Sequence, residues 1–247
     1  MEPTTHAAAA GDEIPAAAAR LFGPDRVDVA ARYASLLVGD GVVRGLIGPR
    51  EAPRIWDRHV LNSVLMAPSV PAGARVADIG SGAGLPGLVL AIARPDIQMT
   101  LIEPLLRRTT FLSEAVVELG LDNVTVERGR AEMFHGKQSF DLVTARAVSA
   151  LSQLIVWCMP LVAAGGSLTV MKGSSAEDEI DAAADALKSW GCATPELVEL
   201  EDPDAGAVRL VRVSWAGEPR VSLRPSGRSP SSSSARGRRA GSRNRRS

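Results

Sequence analysis

Cysteine is scarce in this 247-residue chain: Cys158 and Cys192 stand far apart in apolar surroundings, with no C-x-x-C pair and no histidine beside them. That pattern excludes a zinc-ribbon or redox motif and fits buried thiols in a reducing cytoplasm. Histidine is limited to three positions, and no metal is expected. No apolar run reaches the roughly 18 residues a membrane span needs. Residues Met1–Ala10 lack the basic region and apolar core of a secretion signal, so the expected location is cytoplasmic. No internal repeat is visible. With 45% apolar residues, the chain can bury one sizeable core.

A net charge of zero hides two opposite halves. From Glu218 onward there are nine arginines and one acid, which leaves 19 basic against 27 acidic residues in 1–217. The segment 218–247 is Ser, Arg, Gly and Pro with few apolar side chains, and is expected to be a disordered arm suited to RNA phosphates. Residues 1–11 are expected to be disordered too. The acidity of the folded part argues against a broad basic face, so any RNA site there must be local.

The most informative stretch is Arg75-Val-Ala-Asp-Ile-Gly-Ser-Gly-Ala-Gly-Leu-Pro-Gly87. Its apolar start reads as a buried parallel strand, broken by a glycine turn and followed by a helix from Leu88 to Ala93. Gly80, Gly82 and Gly84 permit a tight turn with no Cβ facing a ligand. Pro86 suits the first turn of the helix, and Asp78 can accept hydrogen bonds that lock the loop. A second strand, Met99–Ile102, ends in Glu103, a carboxylate placed to hold a ribose diol. Gly82, Gly84 and Gly87 match G-x-G-x-x-G, the dinucleotide fingerprint. In that register, however, the first glycine does not directly follow the strand. Asp78 followed by G-x-G-x-G from Gly80 favours S-adenosylmethionine (SAM) instead.

Along the rest of the chain, 12–38 reads as two helical pieces split at Gly23-Pro24, followed by a glycine-rich connection over 39–48 and a helix over Pro53–Ala67. Helix Leu105–Leu119, strand Val124–Glu127 and strand Phe140–Thr144 follow. Then come helix Leu151–Val162, strand Ser167–Met171 and helix Ala176–Trp190. Strands Glu196–Glu201 and Ala207–Trp215 close the pattern as an antiparallel hairpin. The alternation predicts an α/β fold: a doubly wound, mostly parallel sheet of about seven strands with a C-terminal hairpin and an N-terminal helical segment 12–67. This is a class I SAM-dependent methyltransferase architecture, spanning 12–217 as one domain.

Ligands in such sheets sit beyond the carboxyl ends of the strands. Gly80, Gly82 and Leu85 are therefore expected around the methionine moiety and Glu103 at the ribose. Arg130-Ala131-Glu132 should lie near the adenine, and Arg146 beside the transferred methyl. Arg130 and Glu132 could equally form a surface ion pair, and Arg146 could be a cation at the rim of the core. The chain has no Asn/Asp-Pro-Pro-aromatic turn after the fourth strand, where Thr144-Ala-Arg-Ala147 stands, so an exocyclic-amine methylase is disfavoured. Neither cysteine is placed as a pyrimidine-attacking nucleophile. No general base is evident, which suits an acceptor that is already nucleophilic, such as guanine N7.

Together with that loop, Arg58-His59-x-x-Asn62-Ser63, Arg130-Ala-Glu132, Thr144-Ala-Arg-Ala147 and Met171-Lys-Gly173 resemble the bacterial 16S rRNA guanine-N7 methyltransferase family, RsmG, formerly GidB. The resemblance spans roughly residues 25–215. It implies SAM-dependent methylation of the guanine conventionally numbered 527, in the helix-18 loop near the decoding centre, on 16S rRNA or the 30S subunit; a monomer is expected. By position it carries SAM contact to Gly80, Leu85, Ala131, Glu132 and Arg146. His59, Arg107, Arg130, Arg146 and Lys172 would face the methyl or the RNA. The family commonly has Asp where Asn62 and Glu103 stand and Lys at Arg107, and its Asn-Leu-Thr segment reads Gly45-Leu46-Ile47 here.

Overall fold

Seven segments form one sheet, and the computed structural model describes it within residues 14–221. The expectations for residues 1–11 and for most of the Arg-rich arm lie outside the described residues. The strands are β1 (Arg75–Ile79), β2 (Gln98–Glu103), β3 (Val124–Arg128), β4 (Phe140–Arg146), β5 (Val162–Lys172), β6 (Glu196–Asp202) and β7 (Gly206–Ser214). Their spatial order is β3-β2-β1-β4-β5-β7-β6. Neighbours are parallel except at β7, which runs antiparallel to both β5 and β6. The chain winds outward from β1 to β3, then crosses back to β4. The tips of β1 and β4 therefore flank the switch point where such sheets leave a crevice.

Helices cover both faces, so β1 is apolar on both sides. Val76 joins the cluster under α1 (Ala16–Phe22), α2 (Val27–Leu36), α3 (Leu61–Val64), α4 (Gly87–Ala93) and α5 (Leu106–Leu119). Ala77 and Ile79 join the other, under α6 (Leu151–Cys158), α7 (Ala176–Ala182) and α8 (Ala184–Trp190). Cys158 lies fully within the second cluster, whereas Cys192 is only half-buried.

Several expected helices are broken where local chemistry competes with the ladder. Instead of one helix over Pro53–Ala67, a 3₁₀ turn (Ala52–Arg54) leads into a π turn (Ile55–Val60), α3, and a second 3₁₀ turn (Ala67–Ser69). Prolines at 53 and 68 lack the N–H a regular ladder needs. The Ser63 hydroxyl also donates back to the His59 carbonyl at 2.6 Å. A π turn at Leu37–Gly41 extends α2 into the expected glycine-rich connection. Pro160 ends α6 early in a 3₁₀ turn, and β5 begins at Val162. The expected helix over Ala176–Trp190 breaks at Ala183. At the far end, residues 218–221 are placed, and Arg220 donates to the Ser189 carbonyl.

Gly87 opens α4 in a place with no room for a side chain. A Cβ there would meet Leu101 Cδ2 and lie 2.7 Å from Asp78 Oδ2. Gly87→Ala is therefore expected to cost about 1–3 kcal/mol by overpacking. The check is urea unfolding, where the midpoint should fall with the slope unchanged.

Candidate active site

The glycine loop hangs on one buried carboxylate. Asp78, at the end of β1, accepts the Gly87 N–H through Oδ2 at 3.0 Å, while its carbonyl accepts the Ser81 hydroxyl at 2.8 Å. The expected lock is thus present, with Pro86 one residue earlier than expected, at the N-cap of α4. Between these points Gly80 turns with φ 69°, a left-handed conformation that favours glycine. The chain's single tyrosine, Tyr33 of α2, is buried and donates its hydroxyl to the Ala83 carbonyl at 2.8 Å. Asp78 Oδ1 has no partner among the described residues. Burial pushes the Asp78 carboxyl up to about 7, and the nearby Glu103 adds to the rise. The Gly87 amide, the Ser81 hydroxyl and the Arg146 charge act in the opposite direction.

Beyond the tips of β1, β2 and β4 lies a cavity of about 610 Å³. Gly80, Gly82 and Leu85 form one wall, and Glu103 at the end of β2 forms another. Glu103 is only 1% exposed and accepts the Gly82 N–H at 3.0 Å and the Leu105 N–H at 3.1 Å. Arg108 Nη1 approaches it at 3.4 Å. Arg130, Ala131 and Glu132 line the far side, Ala131 buried and its neighbours exposed. Val148 closes the side facing β4. Its methyl would be 2.9 Å from any Cβ at Gly80. The preceding residue, Ala147, holds φ 54° without being glycine, a strain of about 1–3 kcal/mol of the kind that gathers at functional sites.

Val148, Ala147 and Arg146 also line a second, more open cavity of about 930 Å³. Arg146 sits at the junction, held by the π turn. Its guanidinium donates to the Arg58 carbonyl (2.7 Å), the His59 carbonyl (3.3 Å), Ser63 Oγ (3.1 Å) and His59 Nδ1 (3.0 Å). Across the ring, His59 Nε2 meets Glu51 Oε2 at 3.0 Å. Burial lowers the pKa of His59, the Glu51 carboxylate opposes that, and Arg146 reinforces it.

Nine of the eleven nominated residues therefore line the first cavity, and two do not. Arg107 is exposed on the first turn of α5 and lines neither cavity; its neighbour Arg108 faces inward instead, because successive helical side chains diverge by about 100°. Lys172 borders the second cavity, but only 9% of its side chain is exposed. Its Nζ donates to Glu179 at 2.6 Å and to the Ser149 carbonyl at 3.0 Å. Glu179 in turn accepts the Leu151 N–H at the start of α6. Lys172 thus ties down the 147–150 loop rather than offering a free cation. Arg108 and Glu51 are the residues sequence reasoning missed. His135 is a satisfied structural histidine, bonded to the Trp157 carbonyl at 2.8 Å.

The strand order, the glycine loop after β1 and the acid at the tip of β2 define a class I methyltransferase fold. Among solved structures, P. horikoshii TYW2 in complex with MeSAdo matches with a TM-score of 0.51 at 18% identity, over 63% of this chain and 62% of that one. A family model described as rRNA small subunit methyltransferase G (GidB) matches residues 26–205. Ribosomal RNA small subunit methyltransferase G of Nocardioides sp. is 58% identical over 210 residues, covering 85% of this chain and 84% of that protein. The protein of the same name from Kineococcus radiotolerans is 53% identical over 205 residues, covering 82% and 80%. The chain belongs to the rRNA small subunit methyltransferase G family.

Asp78 gives this site a signature in stability. Its carboxyl binds a proton more tightly in the fold, at about 7, than at the ordinary 3.8. Its contribution to stability is therefore complete below about pH 4 and is lost as pH climbs toward about 7. Asp78→Asn keeps an acceptor for Gly87 and removes the titration. The unfolding free energy of the wild type relative to this variant should rise as pH falls from about 8 to 4, measured by chemical denaturation. A pH-independent difference would mean that Asp78 is ionised throughout.

Proposed function

We propose that this protein is a SAM-dependent 16S rRNA methyltransferase, acting as a cytoplasmic monomer on N7 of guanine 527 in the helix-18 loop. The observation that carries this reading is the Glu103 carboxylate set against the Gly82 amide, in a nucleoside-sized cavity at the switch point of an rRNA methyltransferase family member. About 610 Å³ is in the range of small-molecule sites. The buried Arg108 Nε beside Glu103 also lacks a partner among the described residues, as a site awaiting a polar ligand would. Glu103 would hold the ribose diol, Gly80 to Leu85 the methionine moiety, and Ala131 with Glu132 the adenine. The bound cofactor supplies an electrophilic sulfonium methyl.

The protein's own share of the chemistry is placement and electrostatics. Guanine N7 carries a lone pair at neutral pH and needs no base. His59 is the histidine on the cavity wall, and both of its ring nitrogens are already engaged, by Glu51 and by Arg146. Arg146 borders both the cofactor cavity and the space an acceptor would enter, while His59 and Arg130 line the first cavity alone. Among the described residues no helix is long and apolar enough to cross a membrane.

Labelled methyl from SAM should pass to 30S subunits lacking the modification, and nuclease digestion should yield 7-methylguanosine from the helix-18 loop. Transfer to another nucleoside would discard the N7 assignment. Glu103→Ala should weaken SAM binding by about 1–3 kcal/mol, the scale of a charge-assisted hydrogen bond with its partner left unpaired. Calorimetry reads this directly, and an unchanged affinity would refute the ribose role.

A further inference from the structure

Arg146 is the largely buried cation where the two cavities meet, and the direction of its hydrogen bonds constrains its neighbours. A guanidinium has only donors. His59 Nδ1, 3.0 Å from Arg146 Nη2, must therefore present a lone pair. The imidazole proton then sits on Nε2, aimed at Glu51 Oε2 at 3.0 Å. We propose that Glu51 and His59 are a positioning pair for Arg146: the carboxylate fixes the Nε2–H tautomer, and the bare Nδ1 holds the guanidinium at the junction. The inference rests on the methyltransferase reading above and extends it to Glu51, the residue that caps the Ala52–Arg54 3₁₀ turn, outside the glycine loop.

The surroundings support the chain of contacts. The π turn carries Arg58 and His59, and their carbonyls accept from Arg146. Besides these and Ser63 Oγ, His59 Nδ1 is the side-chain nitrogen that meets Arg146. The charges facing the pair are Glu51 itself with Arg54 beside it, Arg58 on the turn of His59, and Arg146 from β4. Asp78 and Tyr33 act on Arg146 from the core. A proton added at Nδ1 would set N–H against N–H and break the link to Arg146. Burial, which lowers the pKa of His59, guards against that near neutrality. Because Arg146 ends β4, its placement also sets Ala147 and Val148, the partition between the cavities.

The side chain of Glu51 is 34% exposed, so replacing it leaves the core intact. With only three histidines in the chain, nitrogen-detected NMR of the full-length protein can assign His59 by comparison with His59→Gln. The expected result is an Nε2–H tautomer that titrates below the ordinary 6.5. For methyl transfer to 30S subunits, Glu51→Gln should lower kcat about tenfold through the lost network, with SAM affinity and the KM for subunits within about twofold. Its acid limb in kcat should also move to lower pH, since the carboxylate that favours His59 protonation is gone. An Nδ1–H tautomer overturns the proposal, as does an active Glu51→Gln enzyme whose acid limb stays in place. A wild-type protein that transfers no methyl overturns the function reading and this inference with it.

Discussion

The hydrogen bond from the Gly87 amide to the buried Asp78 carboxylate organises everything around it. A carboxylate wholly inside a protein loses its hydration, and one amide, one hydroxyl on its carbonyl and a distant guanidinium do not fully replace it. The arrangement is tolerated because it joins three things that must be close: the end of β1, the turn through Gly80, and the first residue of α4. The same contact, together with Leu101 Cδ2, leaves position 87 no space for a Cβ. Glu103 closes the loop from the other side by accepting the Gly82 amide. Two acids on adjacent strand tips therefore grip one loop.

The N-terminal helices belong to the site as much as the sheet does. Tyr33 reaches from α2 to the Ala83 carbonyl, and Arg146 reaches from β4 to four acceptors on the segment Arg58–Ser63. Hydrogen bonds to a charged group contribute about 1.5–3 kcal/mol each when well formed, so this clamp weighs on where the helical segment docks. Arg20 of α1 adds a further tie at the opposite edge, pairing with Asp202 at the turn of the β6–β7 hairpin. The Arg20 guanidinium holds the Asp202 carboxyl well below the usual carboxylate range.

The sheet and the glycine loop were legible from the chain because both obey short-range rules. The strands β1, β2 and β4 are short, mostly apolar runs, and a loop that must turn left-handed needs its glycines in sequence. What stayed hidden depends on helical phase or on partners that only the folded chain brings together. Arg107 and Arg108 are indistinguishable as letters, yet only one can face the cavity. Lys172 looks like an available cation until Glu179, seven residues on, neutralises it. The π turn through His59 is clamped by Arg146 of β4, some 87 positions away, a contact no local propensity encodes. Glu51 was invisible because it meets His59, eight residues on, only once that irregular turn has formed.

A cavity walled by backbone amides, the Glu103 and Glu132 carboxylates and a clamped arginine suits transfer to a nucleophile that needs no activation. The central claim is that Glu103 and the Gly80–Leu85 turn hold the cofactor, leaving the side beyond Val148 to the acceptor. The most direct test is a crystal structure with S-adenosylhomocysteine. The account predicts the ribose diol on the Glu103 carboxylate and the adenine against Ala131. A ligand seated in the second cavity, or one whose ribose makes no contact with Glu103, would contradict it.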